Sequence, residues 1–358
     1  MAGEDDPEAM RTILVTGGCG FIGSNFIRLL CAKADWRVVN LDKLTYAGNL
    51  ENLSGIENER HRFVKGDITD RAMVDRLLAD EKPWAIVNFA AESHVDRSIL
   101  DSLPFLQTNI AGVQTLLESV RRHPVNRFLH VSTDEVYGDR EGNEPAAEEA
   151  ALIPSSPYAA TKAAADLLCL AYRRTYDLPL LITRSSNNYG PFQFPEKLIA
   201  LLIRNALNGI GLPVYGDGRQ VRDWLYVEDN CRAIHAVLEE GRVGTIYNIG
   251  TGSERTNLEV AEAICAAVAE ETDLEGEKLR GRIEFVTDRP GHDRRYALNT
   301  QRMQRDLNWV PLVSFEAGLR QTIRWYLAHQ EWTARVTSGD YRQYYESVYL
   351  NVWEQSGQ

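Results

Sequence analysis

The chain has 358 residues, more than one ordinary domain of about 100–200 residues, although an α/β fold of this length can share one sheet. Its 39 basic and 51 acidic residues give a formal net charge of −12, and because an acidic surface repels phosphate backbones, nucleic-acid binding is disfavoured as the main role. A content of 44% hydrophobic and 25% charged residues is typical of a soluble globular protein, and no stretch approaches the roughly 18 apolar residues of a membrane span.

Short apolar strands alternate with longer helical patterns from residue 12 to residue 184. Residues 1–10 are acidic, lack the basic and apolar regions of a signal peptide, and are expected to form a disordered tail. Strands are predicted at 12–16, 37–42, 61–65, 85–88, 127–132 and 180–184, and helices at 22–33, 71–80, 104–122 and 157–176. Unbroken apolar strands separated by helices predict an α/β fold with a doubly wound, Rossmann-like parallel sheet that is covered on both faces.

The regular alternation of strands and helices ends after about residue 185. An irregular stretch and a glycine-rich loop at 209–218 surround a predicted helix at 196–208. Further elements are predicted as a helix and strand within 224–249, a helix at 257–271, a strand at 283–287 and a helix at 315–329. We therefore expect two interleaved lobes: residues 11–185, rejoined by 226–250, and a smaller C-terminal substrate lobe of residues 186–225 and 251–345.

The cysteines and histidines do not indicate a metal or disulfide framework. The five cysteines are odd in number and form no CxxC pair, and the seven histidines are scattered without metal-ligand spacing. No metal is expected, and a cytoplasmic location is the simple interpretation, because unpaired cysteines are typical of reducing compartments.

A glycine-rich loop follows the first predicted strand. Gly17, Gly20 and Gly23 have GxxGxxG spacing between a strand and a helix, where glycines let the backbone approach a pyrophosphate at the helix start. Asp42 ends the second strand, where a carboxylate accepts hydrogen bonds from the adenosine ribose and disfavours a 2′-phosphate. NAD is therefore favoured over NADP. The cation of Lys43, beside Asp42, could still accommodate the 2′-phosphate of NADP, so this alternative stays open. The alternative is a glycine-rich turn beside a surface carboxylate.

A second group of polar residues follows the fifth strand. Thr133, Asp134 and Glu135 stand at its carboxyl end, where open α/β sheets place ligands. Tyr158 and Lys162 share one face of the next helix at i and i+4. A lysine ammonium near the phenol is expected to lower the tyrosine pKa, so that the tyrosine removes a proton from a substrate hydroxyl while Thr133 orients it. The alternatives are an exposed helix face and surface ion pairs.

These motifs carry a family resemblance. GxxGxxG, YxxxK and the Asn187–Pro191 segment NNYGP resemble the extended short-chain dehydrogenase/reductases that act on nucleotide sugars, over nearly the whole chain. The segments at 42–49, 90–96, 133–135 and 288–293 narrow the resemblance to the 4,6-dehydratases of dTDP-glucose. It implies a lyase reaction: oxidation at sugar carbon 4, elimination of water across carbons 5 and 6, and hydride return to carbon 6. Glu135 would be the base at carbon 5 and Asp134 the acid for the leaving hydroxyl.

The resemblance also implies a set of binding residues. For Arg222 and Arg294 there is a second reason besides the resemblance: a guanidinium group can form paired hydrogen bonds with a diphosphate. The expected cofactor contacts are Gly17, Gly20, Phe21, Ile22, Gly23, Asp42, Lys43, Leu44, Thr45, Asp67, Ile68, Phe89, Ala90, Ala91, Ser93, Thr108, Tyr158, Lys162 and Asn188. The expected substrate contacts are Ser93, Thr133, Asp134, Glu135, Asn187, Lys197, Leu198, Pro213, Tyr215, Arg222, Asn257, Arg289, His292 and Arg294. Cys19 and Thr161 depart from the commoner alanine and serine of the family.

Three other functions compete with this interpretation. A 4-epimerase uses the same Tyr–Lys pair and NAD but needs no base at carbon 5, so Asp134 and Glu135 favour dehydration. A dehydratase for another nucleotide sugar stays open, because base selection rests on a few pocket contacts. A non-catalytic NAD-binding scaffold would be expected to lack some of Thr133, Tyr158 and Lys162. The resemblance also implies a homodimer, because the family's dimers pair through the helices that correspond to 104–122 and 157–176. The alternative is that the apolar stripes of these two helices pack inside the core of one chain.

Overall fold

The computed structural model describes residues 10–33, 35–56 and 60–337. The predicted tail therefore lies outside the described residues, apart from Met10. The strands are β1 (Arg11–Thr16), β2 (Trp36–Asp42), β3 (His61–Lys65), β4 (Ala85–Asn88), β5 (Arg127–Thr133), β6 (Leu180–Ser185), β7 (Asn187–Tyr189), β8 (Leu212–Tyr215), β9 (Val221–Tyr226), β10 (Ile246–Ile249), β11 (Glu254–Thr256) and β12 (Ile283–Val286).

Helices separate most of these strands. They are α1 (Phe21–Ala32), α2 (Arg71–Glu81), α3 (Val95–Leu100), α4 (Leu103–Phe105), α5 (Val113–Arg122), α6 (Pro157–Tyr176), α7 (Leu198–Leu207), α8 (Val227–Glu240), α9 (Asn257–Glu271), α10 (Gly276–Arg280), α11 (Gln301–Leu307), α12 (Phe315–Ala328) and α13 (Gln330–Val336). A π-helical turn, Leu106–Gly112, joins α4 to α5, and 3₁₀ turns occupy Leu50–Leu53 and Asp134–Tyr137.

The predicted doubly wound sheet is confirmed. Seven parallel strands are ordered β10-β6-β5-β4-β1-β2-β3, so the chain winds one way from β1 and the other way from β4. Alternate residues of each strand pack on opposite faces of the sheet: Ile13 and Val15 pack with α1 and α8, whereas Leu14 packs on the other face with α2, α5 and α6. Burial on both faces explains why the strands are uninterrupted apolar runs. The reversal between β1 and β4 opens a crevice at the carboxyl ends of the strands.

The remaining elements form a second core. β11, β9 and β7 make one small sheet and β12 pairs with β8, and α7, α9 and α12 cover them. The chain returns from β9 through α8 to β10, which pairs with β6 in the large sheet. The two cores are thus interleaved along the chain, and the crevice lies between them.

Several elements differ from the sequence predictions. The loop predicted at 209–218 contains β8, and β9 follows at Val221–Tyr226, because strands this short give little periodicity. The helix predicted from residue 196 begins at Leu198, after the extended Lys197. Among residues 10–33, 35–56 and 60–337, no helix is long and apolar enough to cross a membrane.

Candidate active site

A cavity of ≈ 410 Å³ lies in the crevice between the two cores. Its size is within the range of about 300–1,000 Å³ that is usual for small-ligand sites. Residues just beyond four neighbouring strands line it: Gly17 after β1, Phe89 after β4, Asp134 after β5 and Ser186 after β6. Residues of the second core, including Arg222, close the opposite wall.

The glycine-rich loop forms one end of this cavity. Gly17 has φ +70°, and a Cβ atom there would lie 2.6 Å from the backbone nitrogen of Ala90. A Cβ on Gly23 would lie 2.3 Å from the Gly17 carbonyl oxygen, so only glycine lets α1 start this close to β1. The amino end of α1 therefore faces the cavity with backbone next to it, which is the arrangement that accommodates a pyrophosphate.

Asp42 is fixed beside that loop. Its two carboxylate oxygens accept hydrogen bonds from the backbone nitrogens of Cys19 and Leu44, each at 2.8 Å. Burial raises the pKa of Asp42, and these two hydrogen bonds act against that rise. Each oxygen retains a lone pair that can accept a ribose hydroxyl. Lys43 pairs with Asp67 at 2.7 Å, so its charge is already matched, and the set of residues fits NAD.

The 3₁₀ turn after β5 carries the two candidate acid–base groups. Thr133 caps this turn by accepting a hydrogen bond from the backbone nitrogen of Glu135 at 3.3 Å, and its hydroxyl donates to Asp134 at 3.2 Å. The second carboxyl oxygens of Asp134 and Glu135 are buried, and neither has a hydrogen-bond partner among the described residues. Burial, with Glu135 adjacent, raises the pKa of Asp134 to about 8. Burial also raises the pKa of Glu135, which Arg289 and Lys197 partly offset.

Tyr158 and Lys162 lie on successive turns of α6, on the wall next to β5. The helix begins at Pro157, and Ser156 caps it by accepting a hydrogen bond from the backbone nitrogen of Ala159 at 3.1 Å. This start places both side chains in the cavity. Lys162 Nζ donates to the carbonyl oxygen of β5 residue Val131 at 2.7 Å.

The pKa of Tyr158 differs from the sequence expectation. Burial and the charge of Glu135 raise the pKa of the phenol, while a hydrogen bond with Thr133 lowers it. Lys162 does not bring the phenol pKa below its ordinary value, since the ammonium is directed at a carbonyl group. Burial instead lowers the pKa of Lys162 to about 8, with the charge of Asp166 acting against that fall.

A buried ion pair lies behind the lysine. Asp166, one turn after Lys162, accepts a hydrogen bond from Arg184 Nε at 2.8 Å, and both side chains are at most 2% exposed. Arg184 also donates to the Tyr137 hydroxyl at 2.7 Å. Buried charges are costly unless they are paired and hydrogen-bonded. This pair fixes α6 against β6 and so fixes the depth at which Lys162 enters the cavity.

The opposite wall carries a group of cations. Arg222 donates to the carbonyl oxygens of Val221 at 2.8 Å and Asp293 at 2.9 Å, and its guanidinium carbon lies 4.1 Å from the Tyr296 ring centroid. Arg289 donates to Asp96 at 3.1 Å, and its buried Nε has no partner among the described residues. Backbone carbonyls and a ring leave most of the charge of Arg222 unneutralised, which suits the arrangement to an anionic diphosphate.

The structure brings nearly all of the sequence-predicted site residues to this cavity. Two do not line it. Arg294 forms a salt bridge with Asp217 at 2.7 Å on the exterior, so its guanidinium faces away from the cations. Leu44 has φ +58° and contributes its backbone nitrogen to Asp42 instead of its side chain to the cavity.

Other lining residues were not foreseen from the sequence. Glu196 is buried, its pKa is raised to about 7 by burial, and it accepts a hydrogen bond from Tyr46 at 3.0 Å. Asp96 joins the lobes by accepting from Tyr215 at 3.0 Å as well as from Arg289. Their position beside predicted residues was the only available sequence signal. Further lining residues in this class are Gln193, Phe194 and Trp224.

Comparison with known proteins agrees with this geometry. Residues 14–322 match the family model described as GDP-mannose 4,6 dehydratase. The chain is 54% identical over 344 residues to a dTDP-glucose 4,6-dehydratase of Xanthomonas campestris pv. campestris strain B100, covering 93% of this chain and 98% of the relative. A solved dTDP-glucose 4,6-dehydratase of Streptomyces venezuelae, with NAD and dTDP bound, has a TM-score of 0.86 and 47% identity over 91% of this chain and 99% of its own.

An epimerase shares the fold at lower identity. The UDP-glucose 4-epimerase of Thermotoga maritima, solved with UDP-glucose, has a TM-score of 0.81 and 30% identity over 89% of this chain and 99% of its own. The fold alone therefore does not separate dehydratase from epimerase. The sequence identity does separate them, and the chain belongs to the dTDP-glucose 4,6-dehydratase family, whose members use NAD.

Proposed function

We propose that this chain converts dTDP-glucose to dTDP-4-keto-6-deoxyglucose in the cavity between its two lobes. One observation carries the proposal. Two buried carboxyl oxygens without a hydrogen-bond partner among the described residues lie in the same cavity as a buried Tyr–Lys pair and the glycine-rich loop. Residues 11–185 with 226–250 would hold NAD, and residues 186–225 with 251–337 would hold the nucleotide sugar; residues 338–345 of the predicted lobe lie outside the described residues. Arg222, Arg289 and Lys197 supply the positive charge that a diphosphate needs.

The first proton transfer falls to Tyr158. The sugar hydroxyl at carbon 4 would lie between Tyr158 and Thr133, and Tyr158 removes its proton while Thr133 orients the oxygen. NAD, when bound, accepts a hydride from carbon 4 and later returns it to carbon 6. Lys162 Nζ, held at the Val131 carbonyl oxygen, would keep a positive charge on the same wall of the cavity as Tyr158. The ketone at carbon 4 then acidifies the hydrogen on carbon 5.

Glu135 and Asp134 carry the elimination. Glu135 removes the carbon 5 proton, and Asp134 donates its proton to the carbon 6 hydroxyl, which leaves as water. Glu135 returns its proton to carbon 5 when carbon 6 is reduced. Tyr158 then holds the proton from the carbon 4 hydroxyl and Asp134 lacks the proton that left in water, so the site resets when the phenol releases a proton to solvent and Asp134 takes one up. The raised pKa of Asp134 matters here, because an acid must still hold its proton at working pH.

The proposal is tested by product identification. Incubation with dTDP-glucose and no added NAD is expected to yield a 4-keto-6-deoxy nucleotide sugar, measured by mass spectrometry and NMR. Recovery of dTDP-galactose would indicate an epimerase. Parallel incubations with UDP- and CDP-glucose decide the nucleotide, and no turnover of any of the three would support a non-catalytic scaffold.

The elimination should depend on pH through Asp134. The pKa of about 8 keeps Asp134 protonated below pH 8, and the acid is lost as pH rises through this value. Lys162, with a pKa of about 8, loses its charge over the same interval, so both groups act in one direction. We expect the single-turnover elimination rate to fall by at least about tenfold per unit above this pH, and by up to about a hundredfold per unit where loss of the Lys162 charge also slows the reaction. A rate that stays constant for two units above pH 8 would contradict the assigned acid.

We also propose that the chain forms a homodimer through the two helices predicted at 104–122 and 157–176, which in the structure are the run of α4, the π-helical turn and α5, and α6. Leu103, Leu106 and Leu167 are 56%, 46% and 57% exposed on these neighbouring helices. α6 adds small side chains at Ala160 and Ala164, which allow a second helix to approach closely. A self-complementary apolar face of this kind suits a two-fold axis.

The unpaired state of all five cysteines supports a reducing compartment, and we place the protein in the cytoplasm.

Sedimentation tests this assembly. Leu167→Glu is expected to convert a dimer to a monomer, because it places a charge in an apolar interface. Leu312→Glu changes a leucine that is 72% exposed on the other lobe and should leave the dimer intact. A monomeric wild-type protein at micromolar concentration would remove the proposal.

A further inference from the structure

A chain of buried hydrogen bonds joins α13 to the glycine-rich loop. Trp332 Nε1 donates to Asn52 Oδ1 at 2.9 Å, and Asn52 Nδ2 donates to the carbonyl oxygen of Cys19 at 2.9 Å. Cys19 in turn donates its backbone nitrogen to Asp42 at 2.8 Å. All four residues are buried, and the first two are separated by 280 positions in sequence. A residue near the end of the described chain is thus connected to the carboxylate that faces the cofactor.

Each link of this chain fixes the orientation of the next group. The Cys19 peptide lies between Gly17 and Gly20, in the loop that joins β1 to α1. Its carbonyl oxygen accepts a second hydrogen bond, from the backbone nitrogen of Asn49 at 3.0 Å. The loop conformation therefore depends on the Leu50–Leu53 turn that carries Asn52. Trp332 is the side chain that holds the Asn52 amide in the orientation needed to donate to Cys19.

A second set of contacts holds the same turn from the other side. Arg28 of α1 donates to the Asn52 carbonyl oxygen at 2.9 Å, and its guanidinium carbon lies 4.6 Å from the Phe192 ring centroid. Phe192 packs against Trp325 at 4.8 Å and Trp332 at 6.5 Å between ring centroids. Phe192 has φ +66°, an unfavourable conformation for a bulky residue that the surrounding aromatic rings must hold. The next residue, Gln193, lines the cavity, so the cluster reaches both ends of the site.

We propose that Trp332 is a positioning residue for cofactor retention, acting through Asn52 and Cys19 on the glycine-rich loop and Asp42. The inference rests on the proposed function in one respect: the cofactor that oxidises carbon 4 must still be present to reduce carbon 6. Loss of the cofactor between these steps would strand a keto intermediate. A tether from the second core to the loop opposes the local opening through which the cofactor leaves.

The test compares two tryptophans of one aromatic cluster. Trp332→Phe removes the indole N–H while keeping a ring, and we expect NAD to dissociate roughly three to ten times faster, the effect of one hydrogen bond. The readouts are the NAD-to-protein ratio after gel filtration and the NAD release rate. Turnover with saturating NAD should equal that of the wild type. Trp325→Phe is the matched control: it keeps a ring beside Phe192, as Trp332→Phe does, but removes an indole that lies 4.9 Å from Trp332 between ring centroids and outside the hydrogen-bond chain.

Asn52→Ala separates a tether from general packing. If Trp332 acts only through Asn52, the double variant Asn52→Ala/Trp332→Phe should release NAD no faster than Asn52→Ala alone. Additive effects, or equal NAD loss in Trp325→Phe and Trp332→Phe, would overturn the proposal. Wild-type retention in Trp332→Phe would overturn it as well. Because NAD release is measured without substrate, failure of the proposed dehydratase activity is a separate result.

Discussion

Replacing Glu135 with glutamine is expected to reduce product formation by about 10²- to 10⁴-fold, the usual contribution of a positioned general base. The amide keeps the size of the side chain but cannot accept the carbon 5 proton. Oxidation at carbon 4 does not use Glu135, so absorbance of reduced nicotinamide should still appear after mixing with dTDP-glucose. Solvent deuterium should not enter carbon 5.

Glu141→Gln is the matched control for this variant. Glu141 is exposed and does not line the cavity, so the same chemical change there should leave turnover and deuterium entry unaltered. Normal deuterium entry in Glu135→Gln would reject Glu135 as the base at carbon 5. The neighbouring Asp134, whose second oxygen is also buried, would then be the alternative base.

Replacing Tyr158 with phenylalanine is expected to stop the reaction one step earlier. In the proposed mechanism the phenol oxygen accepts the carbon 4 proton, and phenylalanine has no group that can take its place. We expect oxidation to slow by about 10²- to 10⁴-fold, with neither reduced nicotinamide nor carbon 5 exchange. Bound NAD should remain at the wild-type level, since the ring stays in place.

Tyr176→Phe provides the comparison on the same helix. Tyr176 is 45% exposed at the end of α6 and lies far from the cavity, so its hydroxyl should not affect turnover. Carbon 5 exchange at a normal rate in Tyr158→Phe would contradict the order of steps, because exchange requires the ketone. Together the two active-site variants separate oxidation from elimination.

The placement of the glycine-rich loop and Asp42 side by side was predictable because its signals are local in sequence. Gly17, Gly20 and Gly23 lie between the end of β1 and the first turn of α1, and Asp42 stands at the end of β2. The same holds for Tyr158 and Lys162, which one helix places together. The parallel sheet follows from uninterrupted apolar strands, whose seven-strand order the structure confirms.

Contacts between distant segments were not predictable in this way. Arg294 and Arg289 are chemically equivalent in sequence, but only the structure shows that Asp217 engages the former and Asp96 the latter. The phenol pKa likewise depends on the burial of Tyr158 and on the direction of Lys162 Nζ, which sequence spacing does not specify. The hydrogen bond from Trp332 to Asn52 has no sequence signature at all, since neither residue belongs to a motif.

Isotope transfer tests the central claim, that one cavity completes oxidation, elimination and reduction on a single substrate molecule. dTDP-glucose carrying deuterium at carbon 4 would be incubated with the protein and an excess of unlabelled dTDP-glucose, without added NAD. The expected result is deuterium at carbon 6 of the 4-keto-6-deoxy product, and only in the molecules that began with the label. Label lost to solvent, scattered among unlabelled molecules, or recovered at carbon 4 of dTDP-galactose would contradict the claim.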